Sequence, residues 1–375
     1  MLAQRCRRAV LTILGMTSIG IPKEIKSGEA RVGLTPAEVT ALVGQGHAVW
    51  VETGAGTLLG LSDDHYRESG AKIAAHAALV YACDIIAKVK EIQPSEFALL
   101  RSGQILCGFA QIARDAVLLD ALLNAGVSVV AYEAIKDAHG NTPVLAPMSH
   151  IAGTLSASIA QWCLQTAQGG RGVLLGPGAR VVIVGAGVSG LAAAEAFYRL
   201  GCAVTVVLRD PQRARSLLKR LPKGVHCVAI DSLANLLPQT DVLIGAVSVA
   251  GALSPKLITE TMMGTLPKGA VFVDIGIDMG GISETSKQTT WSAPIYLAQG
   301  VVHFCVANIP AQVPQAATAA LAAAALPYLQ AVASQGVIAA AKLDAGLAAA
   351  VQVFAGAVTS PSVARDTGRS CQQLL

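Results

Sequence analysis

The sharpest chemical signal in the chain is Gly185-Ala186-Gly187-Val188-Ser189-Gly190. It follows the apolar run Val181–Val184 directly and opens the run Leu191–Leu200, which has helical character. G-x-G-x-x-G alone is a weak motif, but a strand before it and a helix after it supply the setting that dinucleotide binding needs. Gly185 allows the tight turn, Gly187 lets a pyrophosphate approach the backbone, and Gly190 lets the helix press on the strand. The helix N-terminus offers N–H groups and a partial positive charge to the phosphates. At the end of the next strand, Val206-Val207-Leu208-Arg209-Asp210, an NAD-binding chain usually places an acid for the ribose 2′-hydroxyl. Leu208 stands at that place, so the acid is missing, and Arg209 follows with Arg213 and Arg215 nearby. A guanidinium there suits a 2′-phosphate. The cofactor implied is NAD or NADP, with NADP favoured. Two other readings stay open: a one-residue shift makes Asp210 the ribose ligand, or the arginines line a solvated helix face.

Ligands on open α/β sheets sit beyond the carboxyl ends of the strands, so polar residues there carry most weight. Val271-Phe272-Val273-Asp274-Ile275-Gly276-Ile277-Asp278 ends one strand in an acid followed by Met279-Gly280-Gly281, and Phe304-Cys305-Val306-Ala307-Asn308 ends another in an amide. Ile86-Ala87-Lys88-Val89-Lys90-Glu91 ends a third in two lysines, and Pro22-Lys23-Glu24 leads to Glu29-Ala30-Arg31. Lysine and arginine in strand-end loops facing a cleft suit a small anionic substrate.

The elements that must position these groups alternate. Ser18–Ile21, His47–Glu52, Asp84–Val89, Gly103–Phe109 and Val127–Tyr132 read as strands, and Thr35–Gly44 reads as a helix with Pro at its start and Gly at its end. A helix from Pro147 to about Gln168 precedes a second set of strands: Arg180–Val184, Val204–Leu208, Cys227–Ile230, Val242–Val247, Ala270–Ile275 and Val301–Val306. Strands alternating with helices imply parallel sheets with covered faces. After Pro310 the chain is Ala-rich and helical, expected to return to the first domain. The fold class expected is α/β: two Rossmann-like, doubly wound parallel-sheet domains around a cleft, one inserted in the other. A substrate (catalytic) domain takes residues 16–146 plus 311–365, and a dinucleotide-binding domain takes 147–310. Residues 1–15 read as a mis-assigned start or a disordered extension, and 366–375 as a loose tail.

Bulk properties remove other classes. The net charge is +4 with 14% charged residues, too weak and scattered for nucleic acid. Eight cysteines stand without a CxxC or Cys/His cluster, so no metal is expected and free thiols in a reducing cytoplasm are. The uncharged stretch Ile309–Ala341 is long enough to span a bilayer, but Pro327 interrupts it and it carries four glutamines. Close-packed Ala-rich helices are expected there, without membrane insertion.

The combination IGIPKEIKSGEARVGLTP, VETGAG, KVKE, SGQIL, AYEAI, LAPMSHIAGTLSA, GGRGVLLG, VVIVGAGVSG, VLIGAV, PKLIT, VFVDIGIDMGG and VANIPAQVP resembles the alanine dehydrogenase family. More distantly it resembles the dinucleotide-binding domain I of proton-translocating transhydrogenase. The resemblance runs from about Ser18 to Gly336, most of the chain. It implies an NAD(P)-dependent, reversible oxidative deamination of L-alanine, or a related small amino acid, to pyruvate and ammonia. It also implies a cytoplasmic homo-oligomer, from dimer to hexamer. By the same resemblance Arg31 would hold the substrate carboxylate, and Lys90 would polarise and orient the substrate. Asp278 would take part in proton transfer and lie near the cofactor. Asn308 would bond near substrate and nicotinamide, and Ser149 would face the cofactor phosphates. One position departs: the family's catalytic histidine falls on Gln111, which cannot transfer a proton at neutral pH. Two alternatives follow: a transhydrogenase-like subunit passing hydride between dinucleotides beside a membrane partner, or a dinucleotide-binding homologue without catalysis.

Overall fold

A computed structural model describes residues 16–210, 219–247 and 253–375. The segment 1–15, Arg213 and Arg215 lie outside these described residues. The chain divides into two compact units, one holding residues up to Pro147 and from Ala311 onward, the other Met148–Pro310.

In the first unit β1 (Ser18–Ile21), β2 (Ala48–Glu52), β3 (Lys72–Ala74), β4 (Ile85–Ala87), β5 (Ile105–Gly108) and β6 (Ser128–Ala131) pair in parallel in the order β3-β2-β1-β4-β5-β6. In the second, β7 (Arg180–Val184), β8 (Ala203–Leu208), β9 (His226–Ala229), β10 (Val242–Gly245), β11 (Val271–Asp274) and β13 (Val301–Phe304) repeat that order as β9-β8-β7-β10-β11-β13. Both orders are the doubly wound 3-2-1-4-5-6, which reverses direction between its first and fourth strands and opens a crevice there. The switch points are β1/β4 and β7/β10.

The sequence dictates the second sheet through its alternation. Val181, Ile183, Val204, Val206, Leu208, Val242 and Ile244 face one core, and Val182, Val184, Val207, Leu243 and Phe272 face the other. Both faces are covered by helices, so the strands read as unbroken apolar runs. Each such Val or Leu contributes about 1.5–3 kcal/mol on burial.

Both sheets are mixed rather than wholly parallel. β12 (Ile295–Ala298) runs antiparallel on β13, and β14 (Val351–Phe354) with β15 (Ala357–Val358) adds an antiparallel edge beyond β6. The tail is also tied down rather than loose. The last helix is Pro361–Thr367, Arg369 ion-pairs with Asp120, and Gln372 N donates to Val358 O at 2.8 Å.

Pro314–Leu343 is long and apolar enough to cross a membrane, but it is broken at Gly336 (φ 77°) and its buried face packs inside the first unit. Thr17 Oγ1 donates to Ala333 O at 2.7 Å, and Val32 N to Thr318 Oγ1 at 3.4 Å.

Candidate active site

In the first unit the chemistry-bearing residues gather at the carboxyl ends of β1, β4, β5 and β6. Glu24 follows β1, and its Oε1 accepts from Val89 N at 2.6 Å and Lys90 N at 3.2 Å, just past β4. Lys88 lies inside, 2% exposed, with its Nζ 2.8 Å from Glu96 Oε1 and 3.3 Å from Glu24 Oε2. Tyr81 Oη donates to the same Glu96 oxygen at 2.8 Å. Burial lowers the Lys88 pKa, but the two carboxylates beside it outweigh that and raise it above the usual lysine value. Burial pushes the Glu24 carboxyl upward, against the pull of Lys88 and two backbone N–H groups.

Arg31 is 2% exposed and forms a fork with Glu29, Nε to Oε1 at 2.7 Å and Nη2 to Oε2 at 2.6 Å. Such a bidentate pair fixes the plane of the guanidinium. The loop after it comes very close to β4: a Cβ on Gly33 would sit 2.3 Å from Ala87 O. Gln111 follows β5 with φ 45°, in the left-handed region that side chains other than glycine rarely adopt.

The second unit gathers its residues at β7, β8, β10, β11 and β13. Among the three glycines of the fingerprint, the reasons for glycine differ. Gly185 has φ 107°, and a Cβ there would lie 2.4 Å from Ala246 O, just beyond β10. A Cβ on Gly190 would lie 2.1 Å from Gly185 O. Gly187 has an ordinary φ of −74°, is exposed, and has nothing within 4 Å of where its Cβ would stand. The protein's own packing therefore does not demand glycine at 187. What a Cβ would fill is open space before the N-terminus of Val188–Arg199, which fits a pyrophosphate.

Ser149 lies in the first turn of helix Ala146–Cys163, half-buried. That helix reaches the fingerprint by backbone contact, since a Cβ on Gly153 would meet Ser189 O at 2.1 Å.

Leu208 requires a correction. As the last inward position of β8 after Val204 and Val206, its side chain is 5% exposed and belongs to the core. It is not a side-chain ligand; Arg209 and Asp210, both exposed, are the groups presented beyond the strand.

Asp278 is exposed on the short 3-10 turn Ile275–Met279 after β11. Asn308 follows β13 with φ 58°. Among the described residues four non-glycine positions have positive φ, and Gln111 and Asn308 are two of them. Strain of this kind gathers at functional sites.

Sequence reading missed Asp274 as a structural anchor. Its buried carboxylate accepts from Gly276 N (3.2 Å), Ile282 N (2.9 Å) and Ser286 Oγ (2.6 Å), gripping both ends of the Asp278 loop. Asp274→Asn turns one acceptor into a donor facing donors, so it is expected to cost about 2 kcal/mol. Thermal unfolding would measure it, and an unchanged midpoint would refute the grip.

Glu133 was also missed. It follows β6, and Oε1 accepts from Gln111 N at 2.8 Å, while both of its oxygens lie 3.2 Å from Ala110 N. The only cue was a strand-end acid in Ala131-Tyr132-Glu133.

Each unit is thus a doubly wound α/β layer with its polar residues at the switch point and adjoining strand ends, the arrangement of dinucleotide-handling proteins. Comparison with known proteins narrows the class. The model "Alanine dehydrogenase/PNT, N-terminal domain" matches residues 20–152, and "Alanine dehydrogenase/PNT, C-terminal domain" matches residues 156–361. The chain belongs to the alanine dehydrogenase/PNT family. It is 41% identical over 359 residues to an alanine dehydrogenase of Halomonas elongata, covering 93% of this chain and 96% of that one. It is 40% identical over 354 residues to alanine dehydrogenase 2 of Staphylococcus aureus, covering 92% and 95%. A solved L-alanine dehydrogenase superposes with a TM-score of 0.89 at 36% identity, covering 94% and 99%. The transhydrogenase from Sinorhizobium meliloti shares the fold, with a TM-score of 0.78 at 23% identity over 92% and 99%.

Proposed function

We propose that this chain is an NAD(P)-dependent alanine dehydrogenase, converting L-alanine or a related small amino acid and water to the 2-oxo acid and ammonia, reversibly. The observation that carries the reading is Gly187, a glycine the fold does not need, at the mouth of a dinucleotide fingerprint. The 40% identity to alanine dehydrogenases over nearly the whole chain supports the same reaction. The discontinuous unit takes the substrate, and the Met148–Pro310 unit takes the cofactor.

The roles follow from charge and position. The buried, fork-paired Arg31 faces the substrate carboxylate. Lys90, held by its backbone on Glu24, orients the substrate and polarises the carbon that becomes the imine. Asp278, exposed on its gripped loop, moves protons as the carbinolamine forms and collapses. Asn308 bonds beside substrate and nicotinamide, and Ser149 beside the phosphates. When bound, the oxidised nicotinamide supplies the hydride acceptor. Gln111 can orient water or substrate but carries no proton. The enzyme acts in the cytoplasm as a homo-oligomer, between dimer and hexamer.

Arg209 favours NADP over NAD, because an exposed guanidinium beyond β8 meets a 2′-phosphate while no acid replaces Leu208. The test is absorbance of reduced cofactor with L-alanine and NAD⁺ or NADP⁺, then oxidation with pyruvate and ammonia. Arg209→Ala is expected to lower the NADP-to-NAD preference about tenfold, the scale of one charge-assisted contact. No turnover with any small amino acid, or with 2-oxo acids plus ammonia, sinks the reaction. Gln111 favours one rival, hydride transfer between dinucleotides, which needs no proton acceptor. Oxidation of NADH by an oxidised dinucleotide analogue without any amino acid would establish it.

A further inference from the structure

The pairing of β5 with β6 does not stop where the strands do. Gly108 stands opposite Ala131 in the last ladder pair. One residue on, the rings of Phe109 and Tyr132 meet edge to face with centroids 6.0 Å apart. The next step brings Ala110 and Gln111 to Glu133, whose carboxylate accepts both backbone N–H groups. On the other flank Phe109 N donates to Val89 O at 3.1 Å, which brings the Val89-Lys90 segment alongside. Burial pushes the Glu133 carboxyl upward, against the pull of the backbone N–H groups it accepts and of the Lys90 charge. Two carboxylates therefore hold the neighbouring strand ends, Glu24 on Val89 and Lys90, Glu133 on Ala110 and Gln111.

We propose that Glu133 is a positioning residue for turnover: its side chain accepts the Ala110 and Gln111 amides and so fixes the left-handed Gln111 turn at the carboxyl edge of the first sheet. The proposal rests on the amino acid dehydrogenase reading above. Among the described residues Glu133 is the acid seen to accept these two amides, and Gln111 itself supplies no charge. The carboxylate thus does by charge and hydrogen bonding what a side chain at 111 cannot do for its own backbone. A glutamine at 133 keeps one carbonyl acceptor but loses the charge, whereas an aspartate keeps the charge on a shorter stem.

The test uses the full-length protein with Glu133→Gln and Glu133→Asp. Glu133→Gln is expected to lower kcat for alanine oxidation about tenfold or more, with KM and dinucleotide affinity within about threefold, because a charge-assisted bond weakens to a neutral one. Glu133→Asp is expected to recover most of that loss. Hydrogen exchange supplies the second measurement: the Ala110 and Gln111 amides should exchange about tenfold faster in Glu133→Gln, with the rest of the sheet unchanged. A Glu133→Gln enzyme with parental kcat, or a loss confined to KM, overturns the proposal. If the parent shows no turnover, the reaction reading fails by itself, and unchanged exchange at the two amides would overturn the clamp separately.

Discussion

Replacing Gln111 with histidine is expected to raise kcat for alanine oxidation by about 10²–10⁴-fold, the usual contribution of a positioned general acid or base. The reaction needs a proton acceptor when water adds to the imine and a donor when ammonia leaves. An amide offers hydrogen bonds and no titration near neutral pH. The turn can accept the exchange, because histidine tolerates positive φ better than most residues and 111 already sits at φ 45°. Glu133 would remain on the backbone N–H of 111, so the new imidazole would start from the same turn. The rate should also gain a titration near pH 6.5 or above, roughly the ordinary histidine range. Gln111→Asn is the control, because it keeps an amide and the left-handed turn, and its kcat should stay within about threefold. A gain of less than about threefold for histidine would mean that proton transfer does not limit this enzyme or runs elsewhere.

The two glycines at the ends of the first fingerprint turn should separate stability from binding. Gly185→Ala places a Cβ 2.4 Å from Ala246 O at a φ of 107°. Backbone strain of about 1–3 kcal/mol adds to an overpacking cost of about 1–3 kcal/mol, so a loss of about 2–6 kcal/mol is expected. Thermal unfolding of the protein without cofactor reads it. Gly187→Ala meets nothing within 4 Å and should leave the melting temperature unchanged. Its new methyl stands in the open space assigned to the pyrophosphate, so dinucleotide affinity should fall about 10²-fold, or about 2.7 kcal/mol. Fluorescence titration with NADH and NADPH measures that loss. A Gly187→Ala variant that binds like the parent would remove the main support for the cofactor site.

Much of the second unit was legible because its signals are local. Three glycines at fixed spacing, an apolar strand ahead and a helix behind specify β7 and its turn without reference to distant chain. The same alternation also held the answer at Leu208. Val204, Val206 and Leu208 share one face, so the residue that looked like a missing ribose ligand was already a core position. The first unit was legible in its strands and less so in its site. Lys90 and Gln111 could be named from motif and resemblance, but the carboxylates that hold them could not. Glu24 and Glu133 act across strand order, on residues 65 and 22 positions away respectively, and pairing order is not written in local periodicity. β14 and β15 escaped for a similar reason. They are short and follow an alanine-rich helix, and they become strands by pairing beyond β6.

That late pairing matters while the chain is being made. The Met148–Pro310 unit is continuous and can close as soon as its last strand emerges. The other unit must wait for Val351–Phe354 to cover β6, whose four residues are all buried in the finished sheet. At ordinary ribosome speeds of about 5–20 residues per second the wait is about 10–40 s. During that interval Ser128–Ala131 presents a bare apolar edge, open to pairing with other nascent chains. Truncation before β14 would make the exposure permanent, and the yield of soluble protein would then depend on the last 25 residues although they carry none of the proposed chemistry.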